Sequence, residues 1–424
     1  MQRFLRDYPE TNPPETAGLK LIGSQLKLNL YLMCGLTDFA TFVVVFAVSR
    51  GLAEGQAAPW YLGLAGAGLS FSAAVGSLLG GWLPNRFDVR VVFVSGASIV
   101  VMSIAACWLS DFRNAWFLPG YWLLGIGLGL IYPPLIGWLN QGENPHANRR
   151  VVSRSLILFC VAWNLGMMCG QLTAGALFPF GRNWVYGAAL LGALPNLVLA
   201  FVVAFQVMPF ARTSTNRTHH EIGALKLAAA FKRLSWIANL GGMFGASMII
   251  HLLPDLAVAI GVQPHNHGKL LASWRGVIIG TYLLMHRTAH WHYRLGTALA
   301  SQALAACGLL VIARSESTVM LLVGLTLLGQ LVGYNYFSGL FYSTAGSPDE
   351  RRALAAGIHE ATLAGGMAIG TMAGGVFGSV GGRRMPYVVA AGVMLALTVV
   401  QSTAWWRWVR PLSRRKAGAL TQVS

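Results

Sequence analysis

Stretches of about 20 apolar residues, each long enough to cross a ~30 Å hydrocarbon layer, follow one another along almost the whole chain, about twelve in all. This leaves few folds open. In lipid, a backbone satisfies its N–H and C=O groups only as a helix or within a closed barrel. A membrane barrel alternates apolar and polar residues, whereas these runs are continuous. The chain is therefore read as an all-α polytopic membrane protein. Only 11% of its residues are charged, against about 25% in a soluble protein.

A net charge of +17 invites a nucleic-acid partner until the charges are placed on the spans. Of the 31 Lys and Arg, only Arg50, Arg113, Arg182, Lys269, Arg314, Arg383 and Arg384 fall in loops opposite the termini, and Arg275 falls inside a span. The rest lie on the terminal side. This is the positive-inside asymmetry. It makes the bilayer the partner, excludes nucleic acid, and predicts cytoplasmic termini. Cys34, Cys107, Cys160, Cys169 and Cys307 lie in apolar runs with no disulfide or zinc spacing. The first 27 residues lack the apolar core of a cleavable signal peptide.

Two glycine ladders repeat two hundred residues apart. Gly166, Gly170 and Gly175 are echoed by Gly366, Gly370 and Gly374. Small residues near i, i+4 and i+8 form a smooth ridge that lets another helix approach closely. In each half the same order precedes the ridge. Gly125–Gly129 and Tyr132 come before a basic turn at Asn144-Pro145 to Arg150. Gly329–Gly333 and Tyr334 come before Ser347-Pro348 and Arg351-Arg352. This order predicts a duplicated chain, with six helices in each of two pseudo-symmetric halves and the ridges working at the seam between them. The expected divisions are a cytoplasmic tail over 1–27, with a short interfacial helix near its end, and a first half over 28–208. A basic linker over 209–235, a second half over 236–409 and a basic tail over 410–424 follow. Pro133-Pro134 is expected to kink or end span four.

These residues resemble the major facilitator superfamily across nearly the whole chain. Its loop signature between spans two and three, Gly-x-Leu-Ala-Asp-Arg-x-Gly-Arg-Arg, is matched at Gly81, Leu83, Arg86 and Arg90, while Asn85 and Asp88 depart from it. The span-five ridge is similar to the antiporter signature of drug:proton antiporters at Gly166, Gly170 and Gly175, with Gln171 in place of Pro and Ala174 in place of Gly. The span-eleven copy departs only at Thr371. Where efflux members carry a span-four Arg, this chain has Tyr121. The resemblance implies two six-helix halves about a central cavity, alternating access, and gating by the turn Gly81, Arg86, Asp88 and Arg90.

Ionised groups inside spans are the strongest site signals, since each costs several kcal/mol unless paired or hydrated. Asp38 lies mid-membrane in span one, a place for a coupling proton. Arg275 in span eight suits an anionic solute group, and Glu360 with His359 in span eleven suits a proton relay. The plainer alternatives are helix–helix bonding for Asp38, a snorkelling or structural pair for Arg275, and interfacial pairing with Arg351 or Arg352 for Glu360. Tyr132, Trp163, Asn164, Gln171, Gln330, Tyr334, Asn335 and Tyr336 are candidate cavity-lining residues, each also able to bond between helices. The repeat twins Tyr132 with Tyr334. His286, His290 and His292 lack a carboxylate or Cys companion and sit among arginines, so no metal is expected there. His265 and His267 read as an exposed loop.

The resulting expectation is a secondary transporter of a small organic solute, without metal or cofactor and acting as a monomer in a bacterial cytoplasmic membrane. Proton-driven export of an amphipathic solute is the first reading. Proton-linked uptake of a polar or anionic metabolite is the second, and a non-transporting receptor or scaffold the third. No nucleophile–base pair supports an enzyme.

Overall fold

The computed structural model describes residues 17–110, 112, 114, 116–139, 149–207, 219–288, 290–347 and 352–412, and among them every regular element is helical. The first six helices are α1 (Ala17–Glu54), α2 (Pro59–Trp82), α3 (Val89–Leu109), α4 (Phe117–Leu139), α5 (Arg149–Leu177) and α6 (Arg182–Gln206). The seventh crossing is composite. It consists of α7 (His219–Ser247), a π turn (Met248–Leu252) and α8 (Leu253–Ala259). Five more follow: α9 (Pro264–Arg287), α10 (Leu295–Ala313), α11 (Thr318–Ala345), α12 (Arg352–Gly381) and α13 (Met385–Trp408).

Several boundaries move from where the sequence put them. The helix expected near the end of the tail is continuous with span one, because α1 starts at Ala17. The helix of span seven starts at His219, inside the segment read as linker, and buries Phe231 and Leu234. Helix α4 runs on through Pro133 and Pro134 to Leu139 instead of stopping, as membrane helices can when neighbours satisfy the freed groups. His267 is no loop residue. It lies buried in α9, with its ring 5.1 Å from that of Phe46. The turns at Asn144-Pro145 and at Pro348 to Arg351 lie outside the described residues.

Packing within the two halves follows one plan. In the first, α1 packs on α5 and α6, α2 on α4, and α3 on α4 and α6. In the second, α7 packs on α12 and α13, α9 on α11, and α10 on α11 and α13. The seam repeats the symmetry, since α2 packs on α12 and α5 on α9. A Cβ on Gly375 would come 2.9 Å from the Pro59 carbonyl oxygen, and one on Gly175 would come 2.9 Å from that of Pro264. Gly63 and Gly268 complete the two crossings.

The glycine ridges do a different job from the one expected. Gly166 lies against the backbone of Gly35 and Gly170 against Phe39, both in α1. Gly366 lies against Leu240 and Gly370 against Phe244, both in α7, and Gly374 against Met248 and Leu252. These rungs clamp span five to span one inside each half. A ridge serves wherever two backbones come closest, and here that place is within a half. Only Gly175 reaches the seam, together with Gly375 beside the second ladder. Gly170→Leu is therefore expected to force α5 off α1 and to lower the stability of the folded protein by about 1–3 kcal/mol, the cost of overpacking. Thermal melting of the detergent-solubilised variant measures this, and an unchanged melting temperature would count against the clamp.

One buried cation ties the halves at the face opposite the chain termini. Arg50 of α1 donates from Nη2 to the Val262 carbonyl at 2.9 Å and from Nε to Glu54 at 2.8 Å. Nearby, Arg383 pairs with Asp255 of α8 at 2.9 Å. At the terminal face, the turn that carries His290 and His292 is anchored by Trp291, buried against Phe337 and Phe341. Among the described residues, eleven helices are long and apolar enough to cross a membrane. The twelfth, α9, carries Lys269, Arg275 and four histidines or arginines near its ends, and is held between α5 and α11.

Candidate functional site

The halves enclose a cavity of about 150 Å³. Its described lining comes from α1, α2, α4, α5, α7 with its π turn, α9, α11 and α12; none comes from α3, α6, α10 or α13. Of the ionisable candidates, Asp38, Arg275 and Glu360 all reach it.

Asp38 is buried, and the Tyr132 hydroxyl of α4 donates to its Oδ2. Across the cavity, Tyr336 of α11 donates to Glu360 Oε1 at 2.9 Å. The two tyrosines are the twins. Gly129 lies against Gly76 and Ser77 of α2, as Gly333 lies against Ile278 and Thr281 of α9. Each tyrosine stands three residues beyond its glycine. The pairing of Tyr132 with Tyr334 is thus corrected. Tyr334 instead shares a hydrogen bond of 2.9 Å with Thr297 of α10, away from the cavity.

Arg275 stands at the middle of the 24-residue α9, deeper than a span beginning at Lys269 implied. It is 2% exposed. Its guanidinium carbon lies 4.4 Å from the Trp274 ring centre and 5.0 Å from that of Phe42. Its Nε and Nη2 have no hydrogen-bond partner among the described residues. Cation–π contact is worth up to about 2 kcal/mol when desolvated. That is less than the several kcal/mol of burying an ion, so the ring contacts alone do not offset the burial of the guanidinium.

The remaining candidates divide. Trp163 lines the cavity, with its ring 4.7 Å from that of Tyr336, so the pair bridges the halves. Asn164 faces the seam and donates to Tyr282 of α9 at 3.2 Å. Gln171 is buried beside Gly268. Gln330 donates to the Ser301 carbonyl at 2.7 Å and Asn335 to that of Ala238 at 3.0 Å. His359 pairs through Nδ1 with Asn239 at 3.2 Å and is not among the residues that line the cavity beside Glu360. For Asn164, Gln330, Asn335 and His359, a neighbouring helix supplies the polar group with a partner.

The turn after α2 is self-contained. Asp88 caps α3 by accepting from the Arg90 backbone N–H at 2.9 Å, and the Arg90 side chain returns to it at 2.6 Å. Those hydrogen bonds hold the Asp88 carboxyl below its ordinary value. Arg86 lies over the Trp82 ring at 4.5 Å. Gly81 reaches the other half, where a Cβ on Gly357 would come 3.2 Å from its Cα.

One lining residue had no role in the sequence reading. His251 is 2% exposed, and its Nε2 has no hydrogen-bond partner among the described residues. It sits on the π turn before Pro254. Pro254 lacks the N–H that would bond Ile250, which favours a locally widened helix. The His-x-x-Pro spacing was the available signal.

No family model matches the chain. One stretch is similar to the niacin transporter NiaP of Acinetobacter baylyi, with 26% identity over 131 residues. That match spans 31% of this chain and 28% of the relative's length. Among solved structures, the human organic anion transporter MFSD10 superposes with a TM-score of 0.68 at 17% identity, covering 92% of this chain and all of that one. The nucleoside transporter NupG gives 0.61 at 12% identity, covering 90% of this chain and 100% of its own. A bacterial homologue of the human lysosomal transporter Spinster, inward-facing and unoccupied, gives 0.60 at 15%, covering 93% and 98%. Twelve helical crossings in two matching halves among the described residues, superposing on these transporters over at least 90% of the chain, are the fold of the major facilitator superfamily.

Proposed function

We propose that the protein is a secondary transporter that carries a small organic anion together with protons, by alternating access. The observation that carries this reading is Arg275, a buried guanidinium with two unpartnered nitrogens in the wall of a cavity otherwise lined largely by aromatic and apolar side chains. Two similar proteins, a niacin transporter and an organic anion transporter, support it. Export of an uncharged amphipath gives Arg275 no partner, so the anion reading is preferred.

The coupling follows from Coulomb repulsion. An anion held by Arg275 shares the cavity with Asp38 and Glu360, and like charges in so small a volume disfavour each other. Anion and proton therefore load together and move in the same direction. We take the membrane to be the bacterial cytoplasmic one with both termini inside, as the Lys and Arg asymmetry implies. A single chain supplies both cavity walls, so the monomer is the working unit.

Purified protein in proteoliposomes, given an acid-outside pH gradient and a panel of radiolabelled aromatic and aliphatic carboxylates, tests the reading. At least one acid should accumulate above its equilibrium level. Asp38→Asn, which keeps an acceptor for Tyr132, should abolish gradient-driven accumulation while leaving facilitated exchange. Accumulation that ignores the gradient, or survives in the variant, would falsify proton coupling at Asp38. No movement of any acid would favour a receptor or scaffold.

A further inference from the structure

Resting on the anion reading above, we infer that His251 is a second recognition residue. It hydrogen-bonds a polar atom at the end of the solute opposite its carboxylate. The solute class is then a small aromatic acid with a hydrogen-bonding atom para to the acid group.

Three observations converge on the imidazole. First, it lines the cavity, is almost fully buried, and keeps an unpartnered Nε2. A buried polar atom left unpaired costs about 1–3 kcal/mol, so a ligand that pairs it gains affinity. Second, its place is opposite Arg275. A Cβ on Gly66 of α2 would come 2.7 Å from His251 Cδ2 and 2.7 Å from Thr371 Cγ2 of α12. The ring therefore fills a notch at the α2–α12 seam. Arg275 belongs to α9, which packs on α5 at the other seam. A solute that meets both must point its two polar ends apart, with a flat body between Trp163, Trp274 and Phe42.

Third, the nitrogen has no packing task. The ridge contacts set Gly35 and Phe39 of α1 in register with Leu240 and Phe244 of α7. Carried along the helix, that register sets Phe46 opposite His251. Phe46 packs against His267 of α9, one helical turn before Leu271, the residue that the same register sets opposite Gly66. A hydrocarbon ring stands at the twin position of the first half, so the repeat itself does not call for a nitrogen there.

The test uses the full chain in proteoliposomes with three acids of nearly equal size: benzoate, 4-hydroxybenzoate and pyridine-4-carboxylate. The readout is the ratio of initial rates at subsaturating concentration. The wild type should prefer one of the polar acids to benzoate by about tenfold or more, since sites built to hydrogen-bond reject analogues that cannot. His251→Phe should bring that ratio to within about twofold of one, and His251→Gln should restore part of it. His251→Leu carries the same comparison if the phenylalanine variant does not reconstitute. Equal rates for all three acids in the wild type, or a preference that survives His251→Phe, overturn the role of His251 and leave the anion reading standing. Failure of all three acids to move overturns the aromatic solute class, and the anion reading falls with it only if the wider carboxylate panel fails as well.

Discussion

Arg275→Ala should weaken binding of the transported anion by about 2–5 kcal/mol, on the order of thirty-fold to several-thousand-fold, the cost of removing one partner from a buried hydrogen-bonded charge pair. Transport at low solute concentration should fall by the same factor. Arg275→Lys should lose less, because it keeps the charge but not the planar two-point fork. A folding defect would give a different result. The substitution removes an ion from the middle of a membrane helix, where Arg costs about 2.5–3.5 kcal/mol on insertion scales. The guanidinium has open donors rather than a full set of structural partners. Thermal stability of the unliganded variant should therefore hold or rise while transport fails. A variant that melts early and still moves the solute would place Arg275 in the scaffold.

The second large effect is expected at the seam. Gly63→Leu and Gly375→Leu insert a side chain where two backbones meet near the face opposite the termini. Neither position touches the α1–α5 or α7–α12 clamps, so each half should fold. The halves should then be unable to close on that face. Transport should drop more than tenfold, and a cysteine introduced at Val45 in the cavity wall should react with a membrane-impermeant thiol reagent from that face. This contrasts with Gly170→Leu, where stability is lost first. Normal transport by Gly375→Leu would show that the α2–α12 contact is not part of the closing surface.

How much of this could be read in advance depends on the physical mark each feature leaves. Close backbone approach requires glycine, so the ladders and the duplication were legible. Ionised groups in oil are costly, so Asp38, Arg275 and Glu360 stood out. Direction left no such mark. Asn335 and Gln330 resemble cavity residues in composition, yet each turns to a carbonyl on a neighbouring helix. The ridges were identified, but which helix they met depended on three-dimensional packing. His251 was hidden because its burial arises from a notch made by Gly66, far away in sequence.

The repeat supplies a sharper criterion. Glycines that hold the fold come in pairs, such as Gly170 with Gly370 and Gly63 with Gly268. The same registers set Asp38 opposite Met243, Glu360 opposite Cys160 and Arg275 opposite Ser70. Packing preserves the twofold plan, and the ionisable groups of the cavity break it.

The polarity of α9 has a consequence for how the protein is made. A segment that carries Lys269 and Arg275 and does not reach the apolar threshold of its eleven companions is a poor candidate to leave the translocon for lipid alone. Its shelter is α5, already synthesised, and α11, which emerges later. During synthesis, α9 should therefore wait at the translocon or pair early with α5. Nascent chains cut short before α11 should hold it across the bilayer less firmly than the finished protein does.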